Sequence, residues 1–238
     1  MAAEFVREIS EKELVHERLG ESFETALSTY DTQRRVQVLI DEFLPRDAIV
    51  GKKVLDVGTG LGFFAERLSK LGAKVTAVDI GEGMLRKVRH RVGCECRQVD
   101  ALGLLDVFGP ESFDVVVSSE CIEHTPDPGL AIHQMRAVLK SGGYLSISTP
   151  NLIWYPIVWT ATKLKFRPFD GLENFSTFKR LRRTFAKEGL IIRKEKGLHL
   201  FPFQLKAHRT LTWCDDHLQL LKPFMINICL LGQVEDPA

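Results

Sequence analysis

The run Asp56-Val57-Gly58-Thr59-Gly60-Leu61-Gly62 places an acid and three glycines directly after an apolar stretch and before a helical pattern. Glycines let a backbone turn tightly and pass close to a ligand. Asp79 ends the next apolar stretch, where a carboxylate can accept hydrogen bonds from two vicinal ribose hydroxyls. A glycine-rich loop of this kind also serves dehydrogenases, but Phe63 stands where their third glycine would fall. Asp56, inside the strand, would repel a pyrophosphate and suit the ammonium end of an amino-acid cofactor. No Walker lysine follows the loop, which argues against a nucleoside triphosphate.

A second cluster, Glu120-Cys121-Ile122-Glu123-His124, follows another apolar strand pattern. Histidine titrates near neutrality, so His124 is a candidate general base; the alternative is a structural histidine capping the next loop. His199 is a second candidate, with a half-buried strand histidine as its alternative. A third group is aromatic and basic: Trp154, Tyr155, Trp159, Phe166 and Phe169, interleaved with Lys163, Lys165 and Arg167. Three readings apply to it: a lid over an apolar acceptor, a membrane-surface patch, or core packing against the terminal helices. The basic run Lys179, Arg180, Arg182, Arg183 could meet an acidic partner.

Alternating strands and helices must position these groups. Apolar spacing predicts helices within residues 1–45, then strands at 54–58, 74–80, 94–100, 113–120 and 144–150, with helices at 62–71, 82–91 and 127–140. A helix at 177–189, a strand at 190–196 and a last strand-like run at 225–232 complete the pattern. Apolar strands separated by helices imply a parallel α/β sheet covered on both faces. The expected organisation is N-terminal helices over 1–50 capping the ligand site, a Rossmann-like core over 51–150, an aromatic and basic lid insertion over 151–176, and a C-terminal part over 177–238 completing the sheet.

The 238 residues, with 45% hydrophobic and 26% charged, describe an ordinary globular chain. The net charge of +1 hides an asymmetry: residues 1–150 carry 18 Lys and Arg against 23 Asp and Glu, and residues 151–238 carry 14 against 8. No nucleic-acid motif accompanies this near-neutral balance, so a small molecule is expected as partner and nucleic acid is not. The five cysteines are an odd count, and the Cys94-x-Cys96 pair has no second ligand pair for zinc. Reduced thiols, no signal-peptide core and no bilayer-length apolar run lead to the expectation of a soluble cytoplasmic protein, with peripheral membrane contact as an added reading.

Val54-Leu-Asp-Val-Gly-Thr-Gly-Leu-Gly62 resembles motif I of the class I S-adenosylmethionine (SAM)-dependent methyltransferases. The stretches FDVVVSSECIEHTPDP (113–128) and LKSGGYLSIST (139–149) resemble their fourth- and fifth-strand motifs. Within that superfamily, GKKVLDVG (51–58), VTAVDIGEGML (75–85), EHTPDP (123–128) and Gly197-Leu-His199 are similar to the ubiquinone-biosynthesis O-methyltransferases. The resemblance implies a seven-stranded, mostly parallel Rossmann-like sheet with its last strand antiparallel. It implies SAM as cofactor, with Gly58 and Gly60 at the methionine portion, Asp79 at the ribose, Ile80, Asp100 and Ala101 at the adenine, and Ser119 beside the sulfonium. The family also places an arginine near the cofactor carboxylate, for which Arg34 and Arg35 are both candidates. In ubiquinone-type relatives the E-x-x-E-H residues are implicated in holding magnesium, which would set Glu120, Glu123 and His124 around a metal. The implied activity is methyl transfer to a small, apolar or phenolic hydroxyl, lipid-like in the ubiquinone case. N- or C-methylation, a SAM-binding protein without catalysis, and a nicotinamide oxidoreductase are the rivals.

Overall fold

The computed structural model describes residues 29–164, 171–205 and 207–235. The helical pattern on Leu14, Leu19, Phe23 and Leu27, and the insertion residues Lys165, Phe166, Arg167 and Phe169, lie outside the described residues. Helix α1 (Thr29–Val36) runs into a π-helical turn at Gln37–Glu42. The remaining helices are α2 (Phe63–Lys70), α3 (Glu82–Val92), α4 (Leu104–Phe108), α5 (Pro128–Ala137), α6 (Tyr155–Lys163), α7 (Phe178–Lys187) and α8 (His208–His217). The strands are β1 (Lys53–Val57), β2 (Lys74–Asp79), β3 (Glu95–Gln98), β4 (Phe113–Ser119), β5 (Leu139–Pro150), β6 (Leu190–Leu198) and β7 (Asn227–Val234).

All seven strands join one sheet in the order β3-β2-β1-β4-β5-β7-β6. Strands β1 to β5 pair in parallel, whereas β7 runs antiparallel to both β5 and β6. Alternation along each strand sorts side chains to two faces. Leu55, Val57, Val116 and Ile147 pack with Leu104 of α4, Ile132 and Met135 of α5, and Phe185 of α7. Val54, Ala77, Val115 and Val117 pack on the opposite side with Leu39 and Ile40 of the π turn, Leu68 of α2 and Val88 of α3. The helices therefore lie on both faces, as a buried parallel sheet requires.

The chain order reverses at β1, which has β2 on one side and β4 on the other. Open α/β sheets bind ligands at such a switch point, outside the carboxyl ends of the strands. Boundaries depart from the expected ones where the backbone is irregular. Strand β5 begins at Leu139 rather than residue 144 and carries Gly142 at φ +70°, with a register shift opposite Phe113 and Val115. The last strand begins at Asn227, two residues later than expected.

Candidate active site and cofactor pocket

A cavity of about 310 Å³ opens at this switch point. Gly58, Gly60 and Gly62 all adopt positive φ, at 70°, 50° and 77°. A Cβ on Gly58 would fall 2.5 Å from the Cys121 sulfur and 2.7 Å from its Cβ, so the loop after β1 and the loop after β4 touch at a point where no side chain fits.

Asp79 ties two loops together. Its Oδ2 accepts from the Gly60 N–H and its Oδ1 from the Gly81 N–H, both at 2.9 Å. A carboxylate has further lone pairs, so both bonds are compatible with a diol ligand. Ile80, Asp100 and Ala101 line the same cavity, and Asp100 Oδ1 accepts from the Leu102 N–H at 2.9 Å.

Asp56 does not line the cavity, contrary to its expected place at the ammonium end of a cofactor. It shares a face with Val54, and that face looks at α2. There Oδ2 accepts from the Thr59 hydroxyl at 2.7 Å and the Ala65 N–H at 3.1 Å. Burial pushes its carboxyl up to about 7, against the pull of those two bonds. Asp56 braces the glycine loop from behind.

The two arginines separate. Arg34 is buried but turned away from the cavity: Nη1 donates to Glu42 at 3.0 Å, Nη2 pairs with Asp216, and Nε lies 3.6 Å from Asp215. Arg35 lines the cavity. Its Nε and Nη2 donate to Asp31 at 3.3 and 2.8 Å, and Nη1 donates to the Ser119 hydroxyl at 2.6 Å. Of the two candidates, only Arg35 can therefore meet a ligand there. Asp31 also lines the cavity, and nothing in its sequence context marked it. Burial raises its carboxyl, but Arg35 and His199 outweigh that and hold it at about 2.

Glu120, Glu123 and His124 line the same cavity, with Pro150 and Phe175. Glu120 accepts from Ser148 Oγ at 3.0 Å and Glu123 from Thr149 Oγ1 at 3.1 Å. Burial pushes both carboxyls up to about 7; their mutual repulsion adds to the rise at Glu120. His124 Nδ1 lies 2.8 Å from the Leu172 carbonyl, which can only accept. That assigns the proton to Nδ1 and leaves Nε2 as the basic nitrogen, 3.8 Å from Glu123 Oε1. Among the described residues no three His, Cys, Asp or Glu side chains are grouped as a metal ion would need. Glu120 and Glu123 each accept from a separate hydroxyl of β5, and the arrangement gives no support to the magnesium site expected from Glu120, Glu123 and His124.

His199 is also displaced from its expected position beside an acceptor. It is fully buried at the end of β6 and absent from the cavity wall, with Nε2 2.9 Å from Asp31 Oδ1. The insertion's aromatics on α6 are not core: that helix buries none of its residues, and Trp159 is 51% exposed. Tyr155 packs edge-on against Phe175, itself a cavity residue, at a centroid distance of 5.5 Å. Trp154 Nε1 donates to the Phe224 carbonyl at 2.9 Å.

Residues 55–147 match a family model described as a methyltransferase domain. Ubiquinone biosynthesis O-methyltransferases from Pseudomonas fluorescens and Pseudomonas putida are 37% and 38% identical to the chain over 148 residues, which is 58% of this chain. The match spans 62% of the length of those relatives. Among solved structures, a SAM-dependent methyltransferase from Thermotoga maritima superposes with a TM-score of 0.67 at 19% identity, covering 93% of this chain and 99% of that one. The cyclase SpnF has the same fold, with a TM-score of 0.61 at 16% identity over 86% of this chain and 81% of its own. With the glycine loop after β1 and an antiparallel seventh strand, the chain has the Rossmann-like fold of the class I methyltransferases, and its residues 55–147 match their methyltransferase domain.

Proposed function

We propose that the protein binds SAM in the switch-point cavity and transfers its methyl group to the hydroxyl of a small apolar or phenolic acceptor. The observation that carries this reading is the set of groups that share one cavity at the carboxyl ends of the strands: Asp79 after β2, Arg35 with Ser119, and His124 with the apolar Phe175 and Pro150 all line it. SAM, when bound, supplies an electrophilic methyl on a sulfonium.

The chain's own residues do the rest. Asp79 takes the ribose hydroxyls, while Ala101 and Ile80 flank the adenine. Gly58 and Gly60 let the backbone approach the methionine portion, and Arg35 grips its carboxylate as charge-assisted pairs do. His124 Nε2 takes the acceptor proton as the new oxygen–carbon bond forms and the sulfur–carbon bond breaks. Alignment of the two reactants supplies much of the acceleration in such a displacement.

The same cavity could methylate nitrogen or carbon, and a fold alone fixes neither. The ubiquinone-type relatives and the apolar wall at Phe175 and Pro150 favour a phenolic hydroxyl. Turnover of labelled SAM against catechols, polyprenyl phenols, amines and acids tests this. Transfer to amines alone would overturn the hydroxyl assignment, and SAM binding with no transfer to any would indicate a non-catalytic protein.

In this reading the described parts of the insertion, 151–164 and 171–176, act as a lid, reaching the cavity through Tyr155 on Phe175, and Asp31, Thr32 and Arg35 cap the cofactor from the N-terminal side. No helix among the described residues is long and apolar enough to cross a membrane. Ile153, Ile157, Trp159 and Leu164 are exposed on and beside α6, with Lys163 5.7 Å from the Trp159 ring. That pairing of apolar surface with the Lys163 cation supports docking on anionic lipid. Sedimentation with anionic vesicles, reversed by salt, is the expected result; no sedimentation at low salt would refute it.

A further inference from the structure

A chain of polar contacts runs back from the cavity wall into the protein. Ser119 accepts from Arg35, Arg35 grips Asp31 with two N–H groups, and His199 Nε2 lies 2.9 Å from Asp31 Oδ1. A carboxylate held at low pKa is an acceptor only, so the imidazole donates through Nε2.

The imidazole is itself fixed from several elements. The His199 backbone N–H donates to Asp215 Oδ1 of α8 at 2.7 Å, and its carbonyl accepts from the Ile226 N–H at 3.0 Å. Nδ1 faces Asp215 Oδ2 at 3.7 Å. Rings of Tyr30 and Phe203 pack against it, with centroids at 5.6 and 5.3 Å. Its φ of 62° lies in the left-handed region, uncommon for any residue but glycine and less so for Asn, Asp and His. A fully buried residue held in that conformation is over-determined by its surroundings, which is where such strain persists at functional sites.

We propose that His199 is a positioning residue for cofactor binding: through Asp31 it sets the Arg35 guanidinium at the angle that receives the carboxylate of SAM. This rests on the reading that Arg35 grips that carboxylate. The arrangement makes physical sense of the spacing. Arg35 spends Nε and Nη2 on Asp31 and one Nη1 donor on Ser119, which leaves its remaining donors for a ligand. Without the His199 donor on Asp31 Oδ1, the carboxylate and the guanidinium bonded to it can shift together, and the guanidinium edge turns with them.

The test compares two ligands and two substitutions. S-adenosylhomocysteine carries the amino-acid end, and 5′-methylthioadenosine has the same nucleoside and thioether without it. Gln at 199 places an amide near Nε2 and keeps the bond to Asp31. Asn places its amide near Nδ1, falls short of Asp31, and suits a positive φ at least as well. His199→Asn should weaken S-adenosylhomocysteine binding about tenfold or more, the usual scale for a lost bond to a charged group, with methylthioadenosine binding unchanged. His199→Gln should retain most of the affinity.

Equal affinities of His199→Asn and wild type for S-adenosylhomocysteine would overturn the proposal. So would an equal loss for both ligands, which is the mark of a general packing defect. If His199→Asn does not fold, Asp31→Asn probes the same link with little change of shape, and the same split between the two ligands is expected of it. Arg35→Gln separates the underlying reading: if it binds S-adenosylhomocysteine as wild type does, Arg35 does not hold the carboxylate, whatever His199 does.

Discussion

Gly58→Ala is the sharpest probe of how the loops after β1 and β4 fit together. Gly58 sits at φ +70°, which costs an L side chain roughly 1–2 kcal/mol. The added methyl would also lie 2.5 Å from Cys121 Sγ and 2.7 Å from Cys121 Cβ, closer than real carbon contacts, and overpacking of this kind costs about 1–3 kcal/mol. The sum, about 2–5 kcal/mol, corresponds to a fall in Tm of roughly 5–20 °C for a chain of this size. The geometry also fixes which second substitution helps. Cys121→Ala removes the sulfur but keeps the Cβ at 2.7 Å, so it rescues little. Cys121→Gly leaves only the Cα at 3.8 Å, an ordinary contact, and should recover the steric part while the backbone cost of about 1–2 kcal/mol remains. Thermal unfolding of the three single substitutions and the two doubles gives the coupling directly. A loss below about 1 kcal/mol for Gly58→Ala, or equal rescue by the two Cys121 substitutions, would refute the reasoning.

Other outcomes follow from the same site. Asp79→Asn should weaken S-adenosylhomocysteine binding by about 10- to 100-fold, the scale of a bond to a charged group; calorimetry showing no change would remove Asp79 from the ribose. Asp56 binds its proton more tightly in the folded chain than in the unfolded one, so its contribution to stability is complete below about pH 4 and is lost as pH rises through about 7. The Tm of wild type relative to Asp56→Asn should therefore fall from about pH 5.5 to about pH 8, and a rise over that window would contradict the assignment. His124→Ala should cut turnover by about 100-fold with S-adenosylhomocysteine affinity nearly intact, and retained turnover would reduce its role to packing. Chelators should leave turnover unchanged; a loss restored by magnesium would show that Glu120, Glu123 and His124 rearrange around a metal after all.

The glycine loop, Asp79 and the strands beneath them were legible because their signals are local. A run of apolar β-branched residues such as Val115–Val117 reads as a buried strand from its own composition, and an acid at the end of such a run reads as a ligand group. The orientation of Asp56 was not legible, because it depends on which face of β1 meets α2. The different placement of Arg34 and Arg35 was not legible either, because it depends on partners far along the chain, Asp215 and Asp216 for one and Ser119 for the other. Asp31 carried no signal at all, since its histidine lies 168 positions away. Helix α8, with Thr, Trp, Cys and two Asp among its ten residues, has weak helical character of its own. It is held by tertiary contacts such as the stacking of Tyr30 on His208, with ring centroids 4.1 Å apart. The tertiary placement of α6 was equally hidden, because its aromatics fit a core as well as a surface until the structure leaves them exposed.

The position of β7 in the sheet has a consequence for the order in which the molecule can be assembled. It leaves the ribosome after the other six strands of the sheet, yet it lies between β5 and β6 and is hydrogen-bonded to both. Until it emerges, β5 presents an open edge, and β6 has no neighbour to pair with. Nascent chains up to about residue 226 therefore carry a half-finished sheet whose exposed backbone groups invite pairing with other chains. Closure comes as one event, when eight residues from Asn227 to Val234 slot between two waiting strands. The same event brings Ile226 against the His199 carbonyl, so the histidine behind the cavity takes its final place only once β7 has docked.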